Sequence, residues 1–378
     1  MFLFFFAIAM LMYIPLTGYV GLRLWQIINY FFPGVNKLAY WFIFLVFSYA
    51  FIFSFLNRGL GKELGETLRS FSYYWIIAMF YLFSAFFLLE LLRIICKFLN
   101  IGLPFYTILP RLGIIAIIVV ALIFFYGTWN GRNPRVTNYN ITITKEAGLF
   151  KELRVAMISD IHLSSVVNNE RLEEMVNKIN SLNPDVVFIP GDIIEDVEIF
   201  TEENMMETFK GLQAPHGVFI SLGNHEYYRG EVKKTVESLE QIGFHILKDE
   251  CMLVADSFYV IGREDTAVSS IGRDRKALDE ILEGIDKNLP LILLNHQPIE
   301  LEEAQNAGID LQVSGHTHRG QVFPANLITS KIFEKDWGHL QKGNFQLIVT
   351  SGYGTWGPPL RIGSKSEIVD ILITFTKT

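Results

Sequence analysis

An α-helical membrane part followed by an α/β domain is the architecture this sequence predicts, and two contrasts carry that reading. The first is charge. Before residue 131 there are 8 lysines and arginines against 3 acidic residues, and from there on 24 against 36, within a net charge of −7 for the whole chain. The second is the length of the apolar runs. Those of the first part approach the ~20 residues an α-helix needs to cross a hydrocarbon core of ~30 Å. Those of the second part are short and continuous, as in strands buried on both faces of a sheet.

Four apolar segments, residues 2–22, 38–56, 71–92 and 112–129, are the predicted transmembrane helices, and residues 1–130 are the domain they form. Trp25, Trp41, Tyr73, Tyr74 and Trp129 stand near their ends, where aromatic rings lie at the headgroup level. The first segment has no basic stretch ahead of it and more membrane behind it, so it reads as a helix rather than a cleaved signal. The connection 93–111, apolar and broken by Pro104 and Pro110, is expected along the membrane interface. Glu90 is the one acidic residue inside a predicted span and lies near its end. The helices therefore read as an anchor that also presents lipid, not as a transport path.

Four spans put both termini on one side. Lysines and arginines in the connections are nearly balanced, but the first helix is followed by Arg23 and Lys37 and has no side-chain charge before it. The positive-inside rule then holds the first connection in the cytoplasm and the carboxyl-terminal domain outside it. Cys96 and Cys251 fall in different parts of the chain, which excludes a disulfide framework.

Residues 131–152 are expected to be a short exit linker, Arg132-Asn133-Pro134-Arg135, and an alternating edge strand at 136–144. Over residues 153–378 the pattern becomes strand, turn, helix, repeatedly. The strands are the runs at 155–158, 186–189, 218–222, 291–294 and 311–313. Helical spacing joins Leu172, Met175, Val176 and Ile179, then Val232, Val236 and Leu239, then Leu278, Ile281 and Ile285. Such alternation gives an α/β fold, whose ligands bind beyond the carboxyl ends of the strands.

After the five strands come, in order, Asp160-Ile161-His162, Gly191-Asp192, Gly223-Asn224-His225-Glu226, Asn295-His296 and Gly315-His316-Thr317-His318. Imidazoles, carboxylates and an amide gathered on one sheet edge suit divalent metals rather than nucleotide phosphates. Any one of these turns is common in proteins. Five of them, each after a strand and in this order, are not what chance supplies.

These blocks resemble the signature of the calcineurin-like metallophosphoesterases, over roughly residues 150–378. The branch most similar is described as transmembrane proteins with a metallophosphoesterase domain. It too places helices before the catalytic domain and ends in a Gly-Thr-Trp-Gly-Pro-Pro stretch, here residues 354–359. The resemblance implies an αββα-type sandwich over residues 153–378. It also implies that Asp160, His162, Asp192 and His318 hold one metal ion. Asp192, Asn224, His296 and His316 then hold a second, with Asp192 as the bridge. The mixed nitrogen and oxygen set favours manganese, iron, zinc or cobalt over magnesium or calcium.

Two ions about 3.5–4 Å apart clamp the attacking and leaving oxygens and make hydroxide from a bridging water near neutral pH. His225, not a ligand in the family pattern, is expected to protonate the leaving alkoxide or stabilise charge on the phosphoryl group. Its plainer role is to orient Asp160 by a hydrogen bond. Arg319 and Arg361 are expected at the substrate phosphate. Glu195 and Asp196 read as capping carboxylates of the next helix, and residues 263–274 as the segment that selects substrate.

The function implied is a membrane-anchored phosphoesterase with two divalent transition-metal ions. It acts on ester or pyrophosphate bonds of a lipid or lipid-linked substrate, a nucleotide-linked acyl sugar lipid being one that the family suggests. The alternative is a non-catalytic metal-binding scaffold or a lipid-phosphate sensor at the membrane, against which the complete ligand set argues. The acidic excess of the second part offers no basic footprint for nucleic acid, and nuclease activity ranks last.

Overall fold

The computed structural model describes residues 2–52, 62–228 and 230–377. The chain divides into two compact units, Met1–Tyr126 and Gly127–Thr378.

The first unit is helical: α1 Phe2–Phe31, α2 Lys37–Ser48, α3 Lys62–Phe98 and α4 Phe105–Arg132, whose last turns belong to the second unit. Asn36 starts α2 by accepting the N–H groups of Leu38 and Ala39. Val20, Phe44, Met79, Phe86 and Val120 pack in the interior, while Leu11, Met12 and Leu38 remain exposed. Helices that are apolar inside and out are made for lipid rather than water.

Three of them carry apolar stretches long enough to cross a membrane: Ala7–Phe31, Thr67–Phe98 and Phe105–Arg132. Among its described residues the second predicted segment contains the 12-residue α2, about 18 Å at ~1.5 Å per residue, and, after a turn at residue 49, helical residues 50–52. Its continuation, residues 53–56, lies outside the described residues. Among the described residues there are thus three span-length helices, not four. Three crossings and four put the second unit on opposite sides of a membrane, so the expected sidedness turns on residues 38–56. Glu90 is no lone charge either: Arg23 Nη2 lies 2.7 Å from one of its oxygens, and Arg93 bonds the other.

The second unit contains, among the described residues, twelve strands in two six-stranded sheets. They are β1 Arg135–Ile143, β2 Glu152–Met157, β3 Val186–Pro190, β4 Val218–Ser221, β5 His245–Ile246, β6 Glu250–Val254, β7 Phe258–Gly262, β8 Leu291–Leu294, β9 Leu311–Ser314, β10 Gly338–Lys342, β11 Phe345–Val349 and β12 Glu367–Phe375. One sheet runs β1-β12-β2-β3-β4-β5 and the other β10-β11-β9-β8-β7-β6. The helices are α5 Asn169–Asn180, α6 Val197–Glu202, α7 Met205–Phe209, α8 Asn224–Tyr228, α9 Val232–Gln241, α10 Leu278–Ile281, α11 Leu301–Ala307 and α12 Ala325–Ile332.

Strand alternation explains why the runs look uniformly apolar. Val155, Met157 and Phe188 of one sheet meet Val260, Ile292 and Val313 of the other in the sandwich core. Their neighbours Ala156 and Ile158 point outward under Leu172, Met175 and Ile179 of α5. Leu291 and Leu293 likewise pack under Leu278 of α10 and Leu301 of α11. Each run is therefore buried twice, once against the facing sheet and once against helices.

One expectation changes. The five polar turns do not share one sheet: the first three follow β2, β3 and β4, and the last two follow β8 and β9 of the other sheet. The short exit linker is held in place at both ends. Ser366 Oγ and Arg171 Nη2 donate to Gly131 O at 2.9 and 3.1 Å, and β1 pairs with β12 from Arg135↔Glu367 to Ile143↔Phe375.

Candidate metal centre

The polar turns are locked to one another through the backbone before any donor atom is considered. Asp160 N–H donates to Gly191 O (3.1 Å) and His162 N–H to Asp192 O (3.2 Å), which joins the first two turns. The Asp160 carboxylate accepts His316 N–H at 3.0 Å, tying the first sheet to the last turn of the second. Glu226, the acid of the third block, is buried. It accepts the N–H groups of Asp192 (3.1 Å), Ile193 (2.7 Å) and Gly223 (2.8 Å), so it braces the turns rather than joining the donors. Burial, and next the Asp192 charge, push its carboxyl above the ordinary glutamate range.

Five candidate donors hold left-handed backbone: Asp160 (φ 52°), His162 (52°), Asp192 (54°), His316 (68°) and His318 (47°). That region is sparsely used outside glycine, and each residue held there costs on the order of 1–3 kcal/mol, a strain that persists only where the surroundings over-determine it. The approach of turn to turn also fixes two glycines. A Cβ on Gly223 would stand 2.2 Å from Asp192 Oδ1, and one on Gly315 2.2 Å from Asp160 Oδ2.

The donor atoms converge in two groups. In the first, His162 Nε2 and His318 Nε2 are 3.2 Å apart, and His318 Nε2 is 3.4 Å from Asp160 Oδ1. In the second, His296 Nε2 is 3.2 Å from both Asp192 Oδ2 and Asn224 Oδ1, and His316 Nδ1 is 2.8 Å from Asn224 Oδ1. Asp192 also lies within donor reach of His162, so it belongs to both groups. Donors bonded to one ion at ~2.1 Å stand roughly 3.0–3.4 Å from each other, and the separations here fit that spacing except for the shorter 2.8 Å between His316 and Asn224.

Protonation differs between the groups. Burial, against the pull of Asp192, lowers His162 to about 4. His318 falls well below the usual histidine range through burial, then through His162 and Arg361. Burial also lowers His316. His296 goes the other way: burial opposes its charge, but the Asp192 carboxylate beside it outweighs that and raises it well above the usual range. Its Nδ1 donates to Pro190 O (2.8 Å), which leaves Nε2 facing the donor group.

A family model for calcineurin-like phosphoesterases matches residues 153–320. An uncharacterised metallophosphoesterase of Campylobacter jejuni is 30% identical over 335 residues, covering 86% of this chain and 88% of that protein. The chain belongs to the calcineurin-like metallophosphoesterases. It is also 31% identical over 275 residues to a zebrafish (Danio rerio) transmembrane protein with metallophosphoesterase domain. That match covers 70% of this chain and 63% of the relative, so the chain spans less than two thirds of the relative's length. A Chlamydia trachomatis UDP-2,3-diacylglucosamine pyrophosphatase, LpxG, is 26% identical over 293 residues, 62% of this chain and 87% of that protein.

In this metallophosphoesterase, His225 sits at the edge of the donor set. Its Nδ1 is 2.7 Å from Glu195 Oε2, which is also 3.2 Å from His162 Nδ1, while its Nε2 lies 4.0 Å from Asp192 Oδ2. Glu195 is thus no helix cap; it holds two of the site's imidazoles. Asp196 is the cap, accepting Ile199 N–H at 3.0 Å. What His225 orients is Asp192, through its own N–H (2.9 Å), and not Asp160.

Neither arginine lines the cleft. Arg319 stacks over the Trp337 ring with its guanidinium 4.1 Å from the centroid. Arg361 is fully buried behind His318. It donates to Gly352 O (3.1 Å) and Gly354 O (2.6 Å) and approaches His318 Nδ1 (3.3 Å), so its charge serves the scaffold. Burial lowers it to about 10, against the pull of Asp160. The cleft itself, about 250 Å³, is lined by Asp192, Asn224, His225, His316, Gln321 and Trp356 among others. Residues 263–274 are not in that lining; the rim comes from Gln321, whose amide bonds both the N–H (2.8 Å) and the carbonyl (2.9 Å) of Trp356.

Proposed function

We propose that this chain is a membrane-anchored hydrolase that cleaves a phosphate ester or pyrophosphate bond of a lipid or lipid-linked substrate. The observation that carries the reading is the sharing of Asp192 between two donor groups of the family's composition. Asp160, His162, Asp192 and His318 would hold one divalent ion, and Asp192, Asn224, His296 and His316 the other, with manganese, iron, zinc or cobalt suited to the set. When bound, such a pair supplies charge to phosphoryl oxygens and lowers the pKa of a water enough for attack near neutral pH. The protein's own contribution is His225. Glu195 accepts from its Nδ1 and fixes the ring, which leaves Nε2 as the atom that would pass a proton to the departing oxygen. The lipid character of the substrate is supported by three span-length helices and by the Chlamydia relative, a pyrophosphatase of a diacylated sugar nucleotide.

The test is to assay the purified full chain, loaded with each metal in turn, on soluble phosphate esters, pyrophosphates and extracted lipids. Turnover abolished by a chelator and restored by metal is expected. Two bound ions with no turnover on any of these would establish the scaffold or sensor reading. We also place the second unit outside the cytoplasm, with residues 38–56 as a fourth crossing and Arg23 and Lys37 holding the first connection inside. A membrane-impermeant thiol reagent should then label a cysteine placed at exposed Asn133 in intact cells, once Cys96 and Cys251 are removed. Labelling only after permeabilisation puts the unit in the cytoplasm and the crossings at three.

A further inference from the structure

We propose that α12 and the loop bearing Trp356 form an apolar rim that sinks into the headgroup and acyl boundary of the bilayer, so that a lipid's phosphate enters the cleft while its chains stay in the membrane. The substrate half of this inference rests on the phosphoesterase reading; the membrane contact does not.

The first observation is exposure. α12 begins seven residues after His318 of the Gly-His-x-His turn and has no buried residue. Leu327 is 53%, Ile328 58% and Ile332 67% exposed, and beside them stand Phe323 at 46% and Trp356 at 60%. Single exposed apolar residues are ordinary, but a cluster of this size beside a cleft marks a contact surface.

The second is continuity with the site. Gln321 and Trp356 belong at once to the rim and to the cleft lining. Phe333, the residue after α12, sets its ring 6.0 Å from the ring of His316, edge to face. Whatever covers the rim lies against the cleft.

The third decides the occupant. The loop that carries Trp356 also holds residues 127–132, the last turns of apolar α4. Arg361 N–H donates to Gly127 O (2.9 Å), Asn130 Nδ2 donates to Arg361 O (3.2 Å), and Phe323 N–H donates to Ile362 O (2.6 Å). The α4 stretch is long enough to cross a bilayer, and it enters the second unit at this loop. A short helix with Leu and Ile exposed, flanked by Trp and Phe, is what the interface takes up, the indole lying among headgroups.

The membrane contact is tested without reference to turnover. In full-length protein lacking Cys96 and Cys251, Ile328→Cys is labelled with an environment-sensitive fluorophore and reconstituted in phosphatidylcholine vesicles containing nitroxide-labelled lipid. Lys233→Cys on α9, whose side chain is 88% exposed, is the control. Strong quenching at 328 and little at 233 is expected. A label at 328 that stays unquenched, or that cross-links to a second copy of the chain, overturns the proposal.

The triple variant Leu327→Ser, Ile328→Ser, Ile332→Ser supplies the second arm, and these surface positions leave the core untouched. Hydrolysis of nitrophenyl phosphate esters should be unchanged, and release of phosphate from a bilayer-embedded lipid substrate should fall about tenfold, as apolar area at the interface is lost. Equal activity on both kinds of substrate overturns the role in lipid delivery. Failure of the unsubstituted chain to turn over any phosphoester strikes the phosphoesterase reading alone, since the quenching result stands apart from it.

Discussion

The two halves of the candidate metal centre bring together nearly the same kinds of donor and hold them by different means. Around Asp160, His162 and His318 the support is charged: Glu195 contacts His162, and buried Arg361 stands behind His318. Around Asn224, His296 and His316 the support is main chain and neighbouring donors: Pro190 O accepts from His296, and Asn224 Oδ1 lies between the two histidines. Burial keeps the imidazoles of the first half neutral, whereas Asp192 holds a proton on His296 in the second. If both halves take ions as proposed, the first would do so with neutral imidazoles and the second would first have to release the His296 proton.

The largest effect should come from removing what the halves share. Asp192→Asn should empty both and abolish turnover, while His162→Ala should deplete only the first half and His316→Ala only the second. Elemental analysis of purified variants checks this. Unchanged metal in Asp192→Asn would refute the bridge.

Next in size is His225→Ala, which should keep its metal and lose about 10²–10⁴-fold in turnover, the range of a lost general acid. The loss should shrink for esters with very acidic leaving groups, which need no proton. An equal loss on both kinds of ester would sink the general-acid role. Glu195→Gln should cost less, about 10–100-fold, because it removes only the group that orients His225 and His162.

The smallest effect sharpens the contrast directly. In metal titrations of stripped protein at pH 6.5, one ion should bind well and the second weakly. The second should then tighten by up to about tenfold per pH unit as His296 gives up its proton, until its raised pKa is passed. Calorimetry should show proton release with the second ion only. Metal-free stability should follow the same signs. The His296–Asp192 pair contributes fully below about pH 6.5 and is lost as pH rises through the raised value. His162, lowered to about 4, contributes above its ordinary value and is lost as pH falls towards 4. Equal pH dependence for both ions would remove the distinction.

The turns that converge in the candidate centre were legible because each is local. Asp160 and His162, or His316 and His318, sit within three residues of each other at the end of a recognisable strand. Their division between two sheets was not legible, since a run buried against a facing sheet and a run buried against helices are equally apolar. The supporting shell was also hidden, because its contacts are remote: Glu195 meets His225 30 residues on, and Arg361 meets His318 43 residues back. An acid just before a helix looks like a cap, and an arginine near a Gly-Pro loop looks like a phosphate ligand. Only the fold separates those roles. The short β6, β7 and β10 gave no comparable signal, and the second apolar segment promised a span longer than α2 supplies.

The left-handed backbone at five donors narrows what could ever replace them. Exchanging one metal for another by redesign usually means swapping donor side chains. Here a new residue must satisfy a dihedral requirement as well as a chemical one. Aspartate, asparagine and histidine accept that conformation with modest strain, whereas β-branched residues do not. A substitution at any of these five positions therefore meets a conformational requirement before a ligand one. A library aimed at altered metal preference would do best to vary Asn224, which is absent from the left-handed set, and to leave Asp160, His162, Asp192, His316 and His318 as they are.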